Sequence, residues 1–123
     1  MQSAKIESGL AEFALNEVKR VISIDSANTM EYKSYCKKFP SMVQTNGLAA
    51  SIAFLKDKGK AYNYLYEHIE NRLKELGSLP KDASLIDYVC SLETAQYRVV
   101  TKEVLSLFNW LRRFASGLIE GEA

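Results

Sequence analysis

The chain of 123 residues and 13.9 kDa has the size of one domain, and its 47% apolar and 25% charged residues are those of an ordinary folded protein. That composition excludes a disordered chain and a mini-protein stapled by metal or disulfides. Sixteen Lys and Arg against fifteen Asp and Glu leave a net charge of +1, so no overall field attracts a nucleic acid or an anionic membrane, and any polyanion contact has to be local.

Taken in chain order, the apolar residues Leu10, Ala14, Val18, Val21 and Ile22 recur at helical spacing and predict a first helix from about Gln2 to Ile24. The cluster Asp25-Ser26-Ala27-Asn28-Thr29 is expected to cap a second helix with Tyr32, Tyr35, Cys36 and Phe39 on one stripe, ended by Pro40. Asn46-Gly47 reads as a helix-to-helix turn, since no β-branched alternating run flanks it. Ala49, Ala50 and Ala53 of the next segment are small enough for another helix to approach closely. Gly59 stops that segment, and Tyr62, Leu65, Tyr66, Ile69 and Leu73 form the stripe of a further helix, closed by Gly77 and Pro80. Ser84-Leu85-Ile86-Asp87 resembles a capping box and opens a short helix. The last helix is expected from about Leu92 to Leu118, capped by Ser91, with an apolar set wide enough to be central in a bundle or to hold a partner at its edge. The expected fold is all-α: one domain over residues 1–123, a compact bundle of about five to six helices.

Catalytic chemistry finds little support. His68 is the sole histidine, without a second imidazole at ligand spacing, and reads as a surface or hydrogen-bonded histidine rather than a metal ligand. There is no glycine-rich phosphate loop and no nucleophile elbow. Cys36 and Cys90, far apart in apolar surroundings, read as two buried reduced thiols. The polar start Met-Gln-Ser-Ala-Lys-Ile-Glu is unlike a signal peptide, and the longest nearly apolar run is Leu48 to Leu55, so a soluble cytoplasmic protein is expected, with no membrane partner, no cofactor and no enzyme activity.

The charge is unevenly placed. Residues 28–60 carry +4, whereas residues 1–27 carry −1 and residues 61–123 carry −2. Lys33 and Lys37, and again Arg98 and Lys102, are four residues apart, a like-charge spacing that costs a few tenths of a kcal/mol per pair in a free helix and that a bound anion relieves. One reading is a solvated face that keeps the protein soluble. The sharper reading is a phosphate-tracking patch of Lys37, Lys38, Lys56, Lys58 and Lys60, with Gln44 and Asn46 between them. Tyr62 and Tyr66 belong to the core stripe, while Tyr64 falls off it and is offered to a nucleic-acid base or a neighbouring subunit. Trp110 is a core or interface residue.

The order of these segments resembles a known family. A tyrosine-containing basic helix leads into Lys37-Lys38-Phe39-Pro40-Ser41-Met42-Val43-Gln44-Thr45-Asn46-Gly47-Leu48, then Ala53-Phe54-Leu55 and Lys58-Gly59-Lys60. Later come Tyr97-Arg98, Thr101-Lys102-Glu103-Val104-Leu105, Phe108-Asn109-Trp110-Leu111-Arg112-Arg113-Phe114-Ala115 and Gly117-Leu118-Ile119. The chain is similar to the small all-helical subunit, the fifth Cmr protein, of the type III-B CRISPR effector complex. That resemblance implies a non-catalytic part of an antiviral RNA-guided machine, present in several copies beside the backbone subunits and lining the groove where guide RNA and target RNA pair. It makes Lys33, Lys37, Lys38, Gln44, Asn46, Lys56, Lys58, Lys60, Arg98, Lys102, Arg112 and Arg113 candidate RNA contacts, and Tyr64 and Trp110 candidate subunit contacts. Guide pairing reads sequence in such machines, so the protein need supply only positive charge and shape. The competing reading is a small helix-turn-helix-like DNA-binding regulator, but Leu48 to Leu55 is too apolar for a recognition helix. A third is a small enzyme using His68.

Overall fold

The computed structural model describes the backbone of residues 2–121 and the side chains of residues 9–121. Among the described residues it contains six α-helices and no strand: α1 (Gln2–Ile24), α2 (Thr29–Asn46), α3 (Leu48–Asp57), α4 (Lys60–Glu75), α5 (Leu85–Ser91) and α6 (Thr94–Leu118), with a single 3-10 turn at Ser26–Asn28. The all-α reading holds. Ala14, Val18 and Val21 of α1, at helical spacing, are fully buried. Helix α6 packs along both α1 and α2, and α4 touches the same two helices, while α3 sits on α2, α4 and α5.

Cross-helix contacts fix the directions. Lys33 meets Ile119, Phe39 meets Phe108 with ring centroids 4.6 Å apart, and the Ala49 amide reaches the Tyr97 hydroxyl at 2.9 Å, so α2 and α6 run antiparallel along their whole lengths. Tyr35 stacks on Tyr62 and Tyr32 lies edge-on to Tyr64 and His68, so α2 and α4 are antiparallel as well.

Four local expectations are corrected. Pro40 does not end the second helix; α2 continues through it to Asn46. A mid-helix proline leaves the carbonyl four residues earlier without its usual donor, a cost that here is set against burial of Phe39 and Val43 on either side of it. The last helix begins at Thr94 rather than Leu92, because Leu92 and Glu93 are extended, and Ser91 is the end of α5, its hydroxyl donating to the Tyr88 carbonyl at 2.8 Å. Ala50 and Ala53 face solvent, so no helix packs closely on them, and only Ala49 is half-buried. Cys36 is buried as expected, its thiol pushed up to about 12 by burial, but Cys90 is exposed.

Two turns follow the sequence closely. Gly47 has φ +87°, a backbone region that other residues rarely adopt, and joins α2 to α3 as the helix-to-helix turn. It offers no side chain to cap α3, and the Tyr97 hydroxyl from α6 accepts the Ala49 amide instead. Ser84 caps α5 by accepting the Asp87 amide at 3.4 Å.

Candidate nucleic-acid interface

Eleven of the twelve candidate RNA contacts are exposed, and the twelfth, Lys33, is not, so it leaves the set. Its side chain is buried and its ammonium donates to the carbonyls of Ile119 at 2.9 Å and Gly121 at 2.5 Å. A buried cation needs such partners, and carbonyls at a helix C-terminus carry the partial negative charge that suits it. The like-charge strain between Lys33 and Lys37 is thus relieved by the end of α6, not by an anion.

The remaining candidates form two groups. Lys37 and Gln44, seven residues apart, share the solvent face of α2, and Arg98, Lys102, Asn109 and Arg113 share that of α6. The antiparallel register sets Asn46 beside the start of α6, where Arg98 lies, and sets Lys37 level with the stretch from Asn109 to Arg112. Arg112 donates to Asn109 at 3.3 Å. The second group surrounds the α3–α4 turn. Lys56 stands over the Tyr66 ring at 4.9 Å and Lys58 over the Phe54 ring at 5.4 Å, so each ammonium is steered by an aromatic face. Lys60 opens α4. The antiparallel pairing of α2 and α4 brings Lys38, one turn beyond Tyr35, toward this same turn.

Tyr64 is corrected too. It is buried and its hydroxyl donates to Asp25 at 2.9 Å, so it offers no ring to a base or another subunit. Bonds from Asn28 and Tyr64, against the effect of burial and with Lys60 nearby, hold the Asp25 carboxyl below its ordinary range. Trp110 is half-buried and stacked on Phe114 at 5.7 Å.

His68 is fully buried and hydrogen-bonded on both nitrogens, to the Tyr32 hydroxyl at 2.7 Å and to Glu17 at 3.0 Å. Asn71 and Arg20 also donate to Glu17, and Arg20 reaches on to Glu67 at 3.2 Å. Burial lowers the His68 pKa against the pull of Glu17, so the ring is neutral near pH 7, with Nδ1–H donated to the carboxylate and Nε2 accepting from Tyr32. Partial burial opposes ionisation of Glu17, but the bonds from His68 and Asn71 and the charge of Arg20 outweigh it and hold Glu17 at about 2. The arrangement ties α1, α2 and α4 together, from the fully buried His68 out to Arg20, Glu67 and Asn71 at the surface. Among the described residues no group of three or more His, Cys, Asp or Glu is placed to hold a metal ion. No described helix is long and apolar enough to cross a membrane. Of the two readings of His68, surface or hydrogen-bonded, its full burial leaves the second, and its partner Glu17, 51 residues away on another helix, left no local signal. Tyr35 and Phe54 were likewise unmarked as surface residues.

Comparison with known proteins identifies the family. The model of the CRISPR-associated protein family Cas_Cmr5 matches residues 6–118. The chain belongs to the Cmr5 family. One relative, described as the CRISPR system Cmr subunit Cmr5 of Thermus thermophilus, is 31% identical over 90 residues, which cover 73% of this chain and 76% of the relative. The fold is similar to the X-ray crystal structure of a CRISPR-associated Cmr5 family protein from Thermus thermophilus, with a TM-score of 0.73 and 28% identity over 90% of this chain and 94% of that one. The Cmr5 match spans the sequence block 37–60 and all but the last residue of the block 97–119.

Proposed function

We propose that this chain is a non-catalytic, structural and RNA-binding subunit of a cytoplasmic type III-B CRISPR ribonucleoprotein, the Cmr complex, acting in antiviral defence. It packs along the backbone subunit and neighbouring copies of itself and contributes cations to the groove in which guide RNA and target RNA pair. Cmr5 family membership over residues 6–118 carries the reading. The exposure of Lys37, Lys38, Lys56, Lys58, Lys60, Arg98, Lys102, Arg112 and Arg113 supports the RNA-facing part of it, because none of them is among the ion pairs of the described residues. Trp110, with its stacked Phe114, is the residue of α6 best suited to a subunit contact.

The test is copurification from the source organism, with recovery of guide RNA and backbone subunits expected. A lone dimer on duplex DNA would overturn the proposal. Neutralising Lys37, Lys38, Lys58 and Arg113 together should weaken target capture by the assembled particle, lowering the salt slope by about 0.7 for each single-strand phosphate that the variant no longer neutralises. Unchanged capture with unchanged incorporation of that quadruple variant refutes the RNA-facing role.

A further inference from the structure

Tyr35 and Tyr62, from α2 and α4, lie nearly parallel, with ring centroids 3.5 Å apart and 10° between planes, and Phe54 of α3 meets Tyr62 edge-on at 5.1 Å. All three are half-buried at the surface, unlike Tyr32, Tyr64 and Tyr66, which are buried. Their surroundings are cationic: Lys58 stands over Phe54 and Lys38 follows Tyr35 by one turn, whereas Lys60, two residues before Tyr62, leaves α4 on the other side, near Asp25. Two carboxylates qualify that field, Asp57 in the turn and Glu31, which accepts the Tyr35 hydroxyl at 3.0 Å. The Glu31 bond holds the Tyr35 phenol at its rim, and partial burial together with Tyr62 and Glu31 pushes that phenol up to about 12, so the ring stays neutral and polar only at its edge.

We propose that the Tyr35–Tyr62 pair is a stacking platform for an unpaired base of single-stranded RNA, with Lys38 and Lys58 holding the phosphates on either side of that base. The proposal rests on the RNA-facing reading above. The two rings cover each other's inner faces, so a base stacks on an outer face of the pair; an aromatic face beside cations binds single strands without reading their sequence, since every base has a π-face. A purely apolar partner would leave two ammonium groups beside it uncompensated, whereas a polyanion matches them. The platform also explains why an otherwise neutral chain concentrates its positive charge within residues 28–60.

The experiment uses the assembled complex with target RNA carrying 4-thiouridine at successive positions, irradiated and mapped by mass spectrometry, with wild type, Tyr35→Phe and Tyr35→Ala in parallel. Cross-links on Tyr35 or Tyr62 are expected from a subset of positions, retained in Tyr35→Phe. Tyr35→Ala should bind target roughly tenfold more weakly with an unaltered salt slope, because the substitution removes a stacking surface and leaves every phosphate partner in place. Captured RNA with cross-links only elsewhere and normal affinity for Tyr35→Ala overturns the platform while leaving the RNA-facing reading in place. Loss of Tyr35→Ala from the complex, with Tyr35→Phe retained and the isolated variant folded, overturns it in favour of a protein contact. Cross-links nowhere on this chain overturn both.

Discussion

Replacing His68 with alanine tests whether its two hydrogen bonds serve the fold or a reaction. The substitution removes a fully buried ring and leaves the Tyr32 hydroxyl and the Glu17 carboxylate without their partner. A buried group left unsatisfied costs about 1–3 kcal/mol, and the cavity adds to that, so a loss of about 4 kcal/mol is expected, a large share of the roughly 5–15 kcal/mol that holds a domain together. At about 2.1 cal/mol/K of unfolding entropy per residue, this corresponds to a melting temperature roughly 15 °C lower, read by circular dichroism at pH 7. The double variant with Glu17→Gln should lose less than the sum of the single changes, since both act on one bond network. A shift below about 3 °C, or strict additivity, refutes the argument. In the assembled complex the variant should cleave target in proportion to the amount assembled. Lost cleavage with assembly intact would restore His68 to a catalytic role.

Three further outcomes follow from the same packing. The folded-state pKa of His68 lies below 6.5 and that of Glu17 is lowered from 4.5 to about 2. Each therefore stabilises most at higher pH: the His68 contribution declines as pH falls below 6.5, and that of Glu17 is lost between 4.5 and about 2. A melting temperature that stays flat from pH 7 to 3, or an acid limb unchanged in Glu17→Gln, contradicts this. Lys33→Met keeps the aliphatic stem but strands the Ile119 and Gly121 carbonyls, and should cost about 2 kcal/mol by urea denaturation while leaving the salt slope of RNA capture unchanged. Gly47→Ala forces a β-carbon into φ +87°, with the Tyr97 hydroxyl 3.5 Å away, and should destabilise by about 1 kcal/mol or more; a neutral result would mean that the α2–α3 turn adopts another geometry without loss.

The helices were legible because each carries an apolar stripe at helical spacing, and the breaks at Gly47, Gly59 and Gly77 because a positive φ there calls for glycine. Pro40 misled because local chemistry opposes a helix that tertiary burial of Phe39 and Val43 sustains. On the candidate interface, composition separated charged from apolar residues but could not tell a solvated lysine from a buried one. Lys33 and Lys37 look alike in sequence, and only the approach of the α6 C-terminus distinguishes them. Tyr62 and Tyr64 were assigned the reverse of their exposure for a similar reason. The partner that buries Tyr64 is Asp25, 39 residues distant, and the ring that meets Tyr62 at the surface is on another helix.

The division between inward and outward charge bears on how a chain with a net charge of +1 can face RNA at all. The bundle secures its helix ends with polar ties directed inward, Lys33 to Ile119 and Gly121, Tyr64 to Asp25, and Ala49 to Tyr97. Those ties leave the lysines and arginines of the two exposed groups uncommitted to neighbouring carboxylates at close range; among the described residues the ion pairs within 4 Å involve Arg20, His68, Arg72 and Lys74 instead. In the proposed role the contrast lies between faces and not in total charge: α2, α6 and the α3–α4 turn present exposed cations, although residues 1–27 and 61–123 each carry a net negative charge. On the proposed reading the isolated protein should gather little RNA, and beside basic neighbours that supply the attraction its exposed cations should set which side of the strand is held.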